Sequence, residues 1–151
     1  MRVLKINSAI LAISLLIFIA SCSKDSTTNL YSDDQILGSW SYTSVTINGE
    51  ESVYIHKENC LKDYITFLNN EGQYHQFNEI LHFDEECHIN ATNLDWRISG
   101  SKLILNFGSQ KFVYEIEELT TDTLQFSGNI DIDINGTKEF IEYKFNKYIF
   151  P

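Results

Sequence analysis

From Leu37 onward the chain alternates apolar and polar positions with period two almost without interruption. Leu94, Trp96 and Ile98 fall in phase; so do Leu103, Leu105 and Phe107, and then Phe112, Tyr114 and Ile116. Successive side chains of a strand point to opposite faces, so this pattern predicts half-buried β-strands. Turn signals fall between the runs at roughly ten-residue spacing: Asn48-Gly49, Asn69-Asn70-Glu71-Gly72, Ser99-Gly100-Ser101, Gly108-Ser109 and Asn135-Gly136. Eight or nine short antiparallel strands are expected. Ahead of them, "SDDQILGSW" predicts one helical turn, with Ser32 as its cap and Gln35 three residues on. No internal repeat and no second domain are visible in 151 residues.

The stretch "DIDINGTKEFIE" has two readings. Asp131, Asp133, Asn135, Gly136 and Glu142 occupy the ligand and glycine positions of an EF-hand calcium loop. A two-residue type I′ turn at Asn135-Gly136 is the other reading. It sets Ile130 opposite Ile141, Phe126 opposite Phe145 and Asp133 opposite Lys138. One face then collects Leu124, Phe126, Ile130, Ile132, Ile134, Ile141, Tyr143 and Phe145, spoiled only by Glu139. The flanks "TLQFSGNI" and "FIEYKFNKYIF" lack helical spacing, and Lys138 stands where a calcium loop wants an aliphatic residue. The hairpin is therefore preferred. No metal is expected, and calcium at Asp131, Asp133, Asn135 and Glu142 is the alternative.

The N-terminus departs from this pattern. "MRVLKINSAILAISLLIFIASC" has a basic start at Arg2 and Lys5, then an apolar run from Ala9 to Ala20. The run has signal-peptide length and is short of the ~20 residues a membrane span needs. "IASC", Ile19 to Cys22, resembles the lipobox of bacterial lipoproteins. That resemblance implies cleavage after Ser21 and lipidation of Cys22. Acyl chains bury methylenes at ~0.8 kcal/mol each, enough for stable anchoring. Ser23 in place of aspartate then implies the outer membrane, on either its periplasmic or its surface face. The expected organisation is a removed signal peptide over 1–21, a lipidated cysteine and tether over 22–33, and a β domain over 34–151.

Without Arg2 and Lys5, nine basic residues face 21 acidic ones, a net charge of −12, and Arg97 is the last arginine. Nucleic acid binding needs a basic stripe, and there is none. Three cysteines leave Cys60 and Cys87 as an even pair once Cys22 is lipidated. In an oxidising compartment a disulfide is expected, with a metal pair as the alternative.

An antiparallel meander of this length closes into a barrel or packs as a sandwich, because open edges invite aggregation. Gly38-x-Trp40 follows the helical turn at the mouth of the first strand. "CLKDYITFLNNEGQY" from Cys60, then Cys87, "LDWRISGSKLILNF" and "YEIEELTTDTL" come after it. From about Leu37 to Leu124 this order is similar to the bacterial lipocalin-like lipoprotein family. The resemblance implies a small up-and-down β-barrel, Trp40 plugging one end, a cavity at the other, a Cys60–Cys87 bridge and no catalytic residues. The chain departs from better-known lipocalins in lacking a Thr-Asp-Tyr motif. It also lacks the last-strand arginine that stacks on the tryptophan, for which only Lys144 or Lys147 could stand in. A plain core role for Trp40 is the alternative.

His82, Cys87 and His88 could be drawn as a zinc site, but a bridged Cys87 leaves a solvated loop. No nucleophile elbow, metalloprotease helix, phosphate loop or dinucleotide fingerprint occurs. The paired acids Glu50-Glu51 and Glu117-Glu118 read as solvated. No enzyme activity and no cofactor are expected. Two functions remain. The first is binding of a small apolar or amphipathic ligand in the barrel, with Phe67, Phe126, Tyr143 and Phe145 as pocket candidates. The second is an acidic module that captures a basic protein through its loops, as small periplasmic inhibitors of lysozyme do. A carrier needs a void, whereas an inhibitor barrel can be filled solid. The large inward residues leave room only for a small cavity.

Overall fold

The alternating segments form nine antiparallel strands in a computed structural model that describes residues 30–70, 74–131 and 136–151, and for Asn70 and Tyr74 the backbone alone. The expected signal peptide, Cys22 and four residues of the 131–142 stretch (Ile132, Asp133, Ile134 and Asn135) lie outside them. A helical turn, α1 (Asp33–Ile36), precedes β1 (Gly38–Ile47) and the short β2 (Glu50–Val53). Then come β3 (Tyr64–Asn70), β4 (Tyr74–His82), β5 (Ile89–Ser99), β6 (Lys102–Phe107), β7 (Gln110–Leu119), β8 (Thr123–Ile130) and β9 (Glu139–Lys147). Gln35 anchors α1 as expected, its side-chain oxygen accepting the Ser32 N–H at 2.8 Å.

Strands β3 to β9 pair in sequence order, and β9 pairs back on β1, so eight strands close into a barrel. Closure removes the edges that an open meander would expose. Strand β1 divides one edge between two neighbours: Gly38–Ser41 pair with β3, and Ser44–Ile47 pair with β2. Strand β2 is thus an extra flap outside the closed ring. Its turn, Asn48-Gly49, has positive φ at both residues (51° and 90°), the geometry of a type I′ turn.

Two bulges keep the core in phase. Between Tyr42 and Ser44 the β1 register slips, so Trp40 and Tyr42 face inward before it and Val45 follows on the same side after it. Between Ile116 and Glu118 a second slip carries Leu119 inward after Tyr114 and Ile116. An extra residue in one strand reverses which face its successors take.

The β8–β9 pairing differs from the expected one. Ile130 pairs with Glu139 and Phe126 with Tyr143, a displacement of two residues, while Asn135 of the expected turn falls outside the described residues. An even displacement preserves the faces, so Leu124, Phe126, Ile130, Ile141 and Phe145 are all buried as expected. Two contacts account for the shift. The Asp131 carboxylate accepts the Gly136 N–H at 2.9 Å, and the β1–β2 turn holds Phe140, whose N–H donates to Asn48 Oδ1 at 3.0 Å.

Candidate functional site

The barrel has one packed end and one hollow end. At the packed end Trp40 is fully buried, and its indole N–H donates to the Ile36 carbonyl at 2.8 Å. Trp96 does the same toward the Leu68 carbonyl at 3.0 Å. Phe67 fills the space between, edge-on to Phe77 and to Trp96. Of the two lysines that could replace the missing arginine, Lys147 does so. Its ammonium lies 4.1 Å from the Trp40 ring centroid and donates to the Leu37 carbonyl at 2.6 Å. Lys144 points outward to Glu51. Gly38 is what lets Lys147 in: its φ is +103°, and a Cβ there would stand 2.8 Å from the Lys147 nitrogen.

Toward the other end the barrel holds a cavity of about 280 Å³. Phe126, Tyr143 and Phe145 line it with Tyr42, Leu94, Phe112 and Tyr114, and Phe67 lies outside the lining. Phe107, at the β6–β7 turn, both lines the cavity and is exposed, so the cavity reaches the surface there. Ile47, Phe83, Ile89 and Phe140 are also exposed, and the antiparallel pairing sets all four at that same end of the barrel. The mouth therefore has an apolar rim.

Among the described residues one formal charge enters this cavity, and sequence reasoning did not find it. Glu79 faces inward from β4, between Ile65 of β3 and Thr92 of β5. The Tyr42 hydroxyl donates to its carboxylate. Burial pushes the Tyr143 phenol up to about 12, with the Glu79 charge adding to it, and burial first raises Tyr42 and Tyr114 as well. Gly128 seats Tyr114 against the wall, since a Cβ there would meet the Tyr114 ring at 3.0 Å and the Val113 carbonyl at 2.9 Å. The signal was phase: Glu79 has the parity of Phe77 and Leu81.

A second acid, this one buried, supports the wall from behind. Asp63 is almost fully buried and accepts from the Tyr54 hydroxyl at 2.9 Å and from the His82 N–H at 2.7 Å, with His82 Nδ1 2.9 Å away. Its own N–H donates to His56 Nδ1, which places the His56 proton on Nε2, facing the Tyr42 carbonyl at 2.9 Å. Tyr54 in turn stacks on Tyr42 with centroids 4.7 Å apart. The segment between β2 and β3 thereby fixes the phenol that holds Glu79. A disulfide clamps that segment: Cys60 and Cys87 are bonded, with Cα atoms 5.4 Å apart.

The bridge removes Cys87 from any zinc site, and His82 is taken by Asp63. His88 is exposed, 2.7 Å from Asp84 and 3.7 Å from Glu86. These three could gather round an ion, but all belong to a solvated loop. Glu142 of the calcium-loop pattern lies within β9, 3.5 Å from the Lys144 ammonium, while Asp133 and Asn135 fall outside the described residues. His75 stands edge-on to Trp96, with its Nδ1 3.9 Å from the Asp33 carboxylate and without a hydrogen bond among the described residues.

A family model for the lipocalin-like domain matches residues 36–126, more than half of the chain. The chain belongs to the lipocalin-like domain family. The match begins beside α1 and takes in Gly38, Trp40 and both bridged cysteines. A crystal structure of an uncharacterized protein from Bacteroides eggerthii is similar in fold, with a TM-score of 0.51 at 10% identity. The likeness covers 75% of this chain and 99% of that one. No protein of curated function matches in sequence. In this lipocalin-like barrel Trp40 closes the end where the chain enters, and the hollow lies beyond it.

Proposed function

We propose that this lipocalin-like protein is a non-enzymatic carrier that holds a small apolar or amphipathic ligand in its barrel and is anchored to the bacterial outer membrane through lipids on Cys22. The cavity of about 280 Å³ carries the reading. Binding pockets run from roughly 300 to 1,000 Å³ with mostly apolar walls and a few placed polar groups, and this one sits at the small end. Aromatic walls bury a ligand's apolar body, while Glu79, Thr92 and the phenols orient it. The apolar rim beside Phe107 offers a route in.

The acidic-module reading has its own support in the clamped loop, where the Glu85 and Glu86 side chains are 71% and 81% exposed. The hollow barrel ranks it second, because a module acting through its loops has no use for an interior void.

Native mass spectrometry on the protein from Ser23 onward, exported and purified without detergent, tests the carrier. A small-molecule adduct that leaves on denaturation is expected. A bare mass that also takes up nothing from an envelope lipid and metabolite extract would sink the reading and turn the search to basic proteins. The anchor is tested separately: labelled palmitate should enter the wild-type chain in bacteria and should not enter Cys22→Ala.

A further inference from the structure

We infer that the cavity is selective for a small organic cation, an amine or quaternary ammonium whose apolar body lies against the aromatic walls and whose charge faces Glu79. This rests on the carrier reading and adds the ligand's charge to it. The asymmetry between two inward acids carries the argument. Asp63 is fully furnished, with a phenol, a backbone N–H and an imidazole on its carboxylate. Glu79 has a phenol, and among the described residues no lysine, arginine or histidine lies within ion-pair distance of it. Among the described residues, none that lines the cavity is basic. A carboxylate drawn into an apolar cavity loses hydration, and an attraction to an opposite charge inside such a wall is far stronger than in water. An occupant bearing the missing positive charge is what the site lacks.

The rings around Glu79 favour the same occupant. Tyr143 stands edge-on to both Tyr42 and Tyr114, with centroids 6.2 Å away in each case. Ring faces carry negative potential and attract ammonium groups, and a set of rings around one point is how proteins hold such cations. An anionic ligand would meet Glu79 with like charge and find no compensating donor beyond hydroxyls. The protein's net charge of −10 also steers cations toward it and anions away.

Phenethylamine, phenethyl alcohol and phenylacetate share a body and differ in charge, which makes them direct probes. Calorimetry on the full chain in lipid nanodiscs at neutral pH, with empty nanodiscs as the blank, reads the three affinities. The amine is expected to bind about tenfold or more tightly than the alcohol, and the acid more weakly still. Glu79→Gln should abolish the amine's advantage over the alcohol, so that the two bind alike. Its thermal unfolding is recorded alongside, and the wild-type comparison stands whether or not that variant folds. Equal affinities for amine and alcohol in the wild type, or an amine preference that survives Glu79→Gln, would overturn the inference and leave the carrier standing. If none of the three binds, the inference also falls, and the adduct seen or not seen in native mass spectrometry judges the carrier independently.

Discussion

The Lys147 ammonium sits over the Trp40 ring at 4.1 Å and caps the Leu37 carbonyl at 2.6 Å, closing the packed end with a cation in place of a core residue. Burial lowers its pKa, so the charge is held at some cost and is retained through these two contacts. Lys147→Met should keep the stem's packing and lose both contacts, costing about 1–3 kcal/mol. Gly38→Ala should cost a similar amount through its positive φ and the close approach to Lys147. Urea unfolding measures both. The two changes should be strongly non-additive, because each disturbs the same contact.

The bridge between Cys60 and Cys87 spans 27 residues of separation and ties the segment behind Tyr42 to the β4–β5 loop. Replacing both cysteines by serine should lower stability by about 3–4 kcal/mol, mainly by freeing the unfolded chain. Reduction of the wild type should give the same midpoint in denaturant as the double variant.

Asp63 gathers Tyr54, His82 and, through its backbone, His56. Asp63→Ala should leave the Tyr54 hydroxyl and the His82 N–H without their acceptor and cost roughly 2–4 kcal/mol. Because Tyr54 stacks on Tyr42, and Tyr42 holds Glu79, any ligand affinity should fall with it. A loss of stability with affinity unchanged in the folded fraction would separate the two halves of this chain of contacts.

Alkaline pH should unfold the barrel through its phenols. Burial raises Tyr42, Tyr54 and Tyr114, and it brings Tyr143 to about 12, against roughly 10 for a free phenol. Between these values the unfolded chain gives up protons that the native one keeps, so the native state becomes relatively less stable as pH rises. The contribution of Tyr143 is complete below pH ~10 and lost as pH climbs through about 12. Tyrosinate absorbance should rise in two stages, the second coincident with loss of near-ultraviolet circular dichroism. Tyr143→Phe should move that second stage to higher pH.

Much of this was legible because strands write their faces into the sequence. Leu103 and Leu105, or Phe126 and Phe145, needed only parity to be placed inside. The choice of Lys147 over Lys144 was readable by the same rule, since Lys147 shares its phase with Tyr143 and Phe145. The β8–β9 register was not. Asn135-Gly136 is a strong local turn signal, but Asn48, some ninety residues earlier in the chain, grips Phe140 and helps decide the pairing. Glu79 and Asp63 were hidden for a different reason. Their parity matches apolar neighbours, yet inward acids are rare enough that parity alone reads as noise until Tyr42, Tyr54 and His82 are seen beside them.

The void itself can be put to a direct test at Thr92. It lines the cavity from β5, directly opposite Glu79 in the register, and its small side chain leaves the space open. Thr92→Phe should place a ring in that space. Filling an existing hollow avoids the strain that enlarging a residue causes in a packed core, and it adds apolar contact. The variant should therefore unfold at the same temperature as the wild type or a few degrees higher. Ligand binding should fall about tenfold or more, because the added ring and the ligand compete for one volume. Full binding in a stable Thr92→Phe protein would mean that the ligand sits outside the barrel. The exposed acidic loop of Glu85 and Glu86 would then become the surface to mutate next.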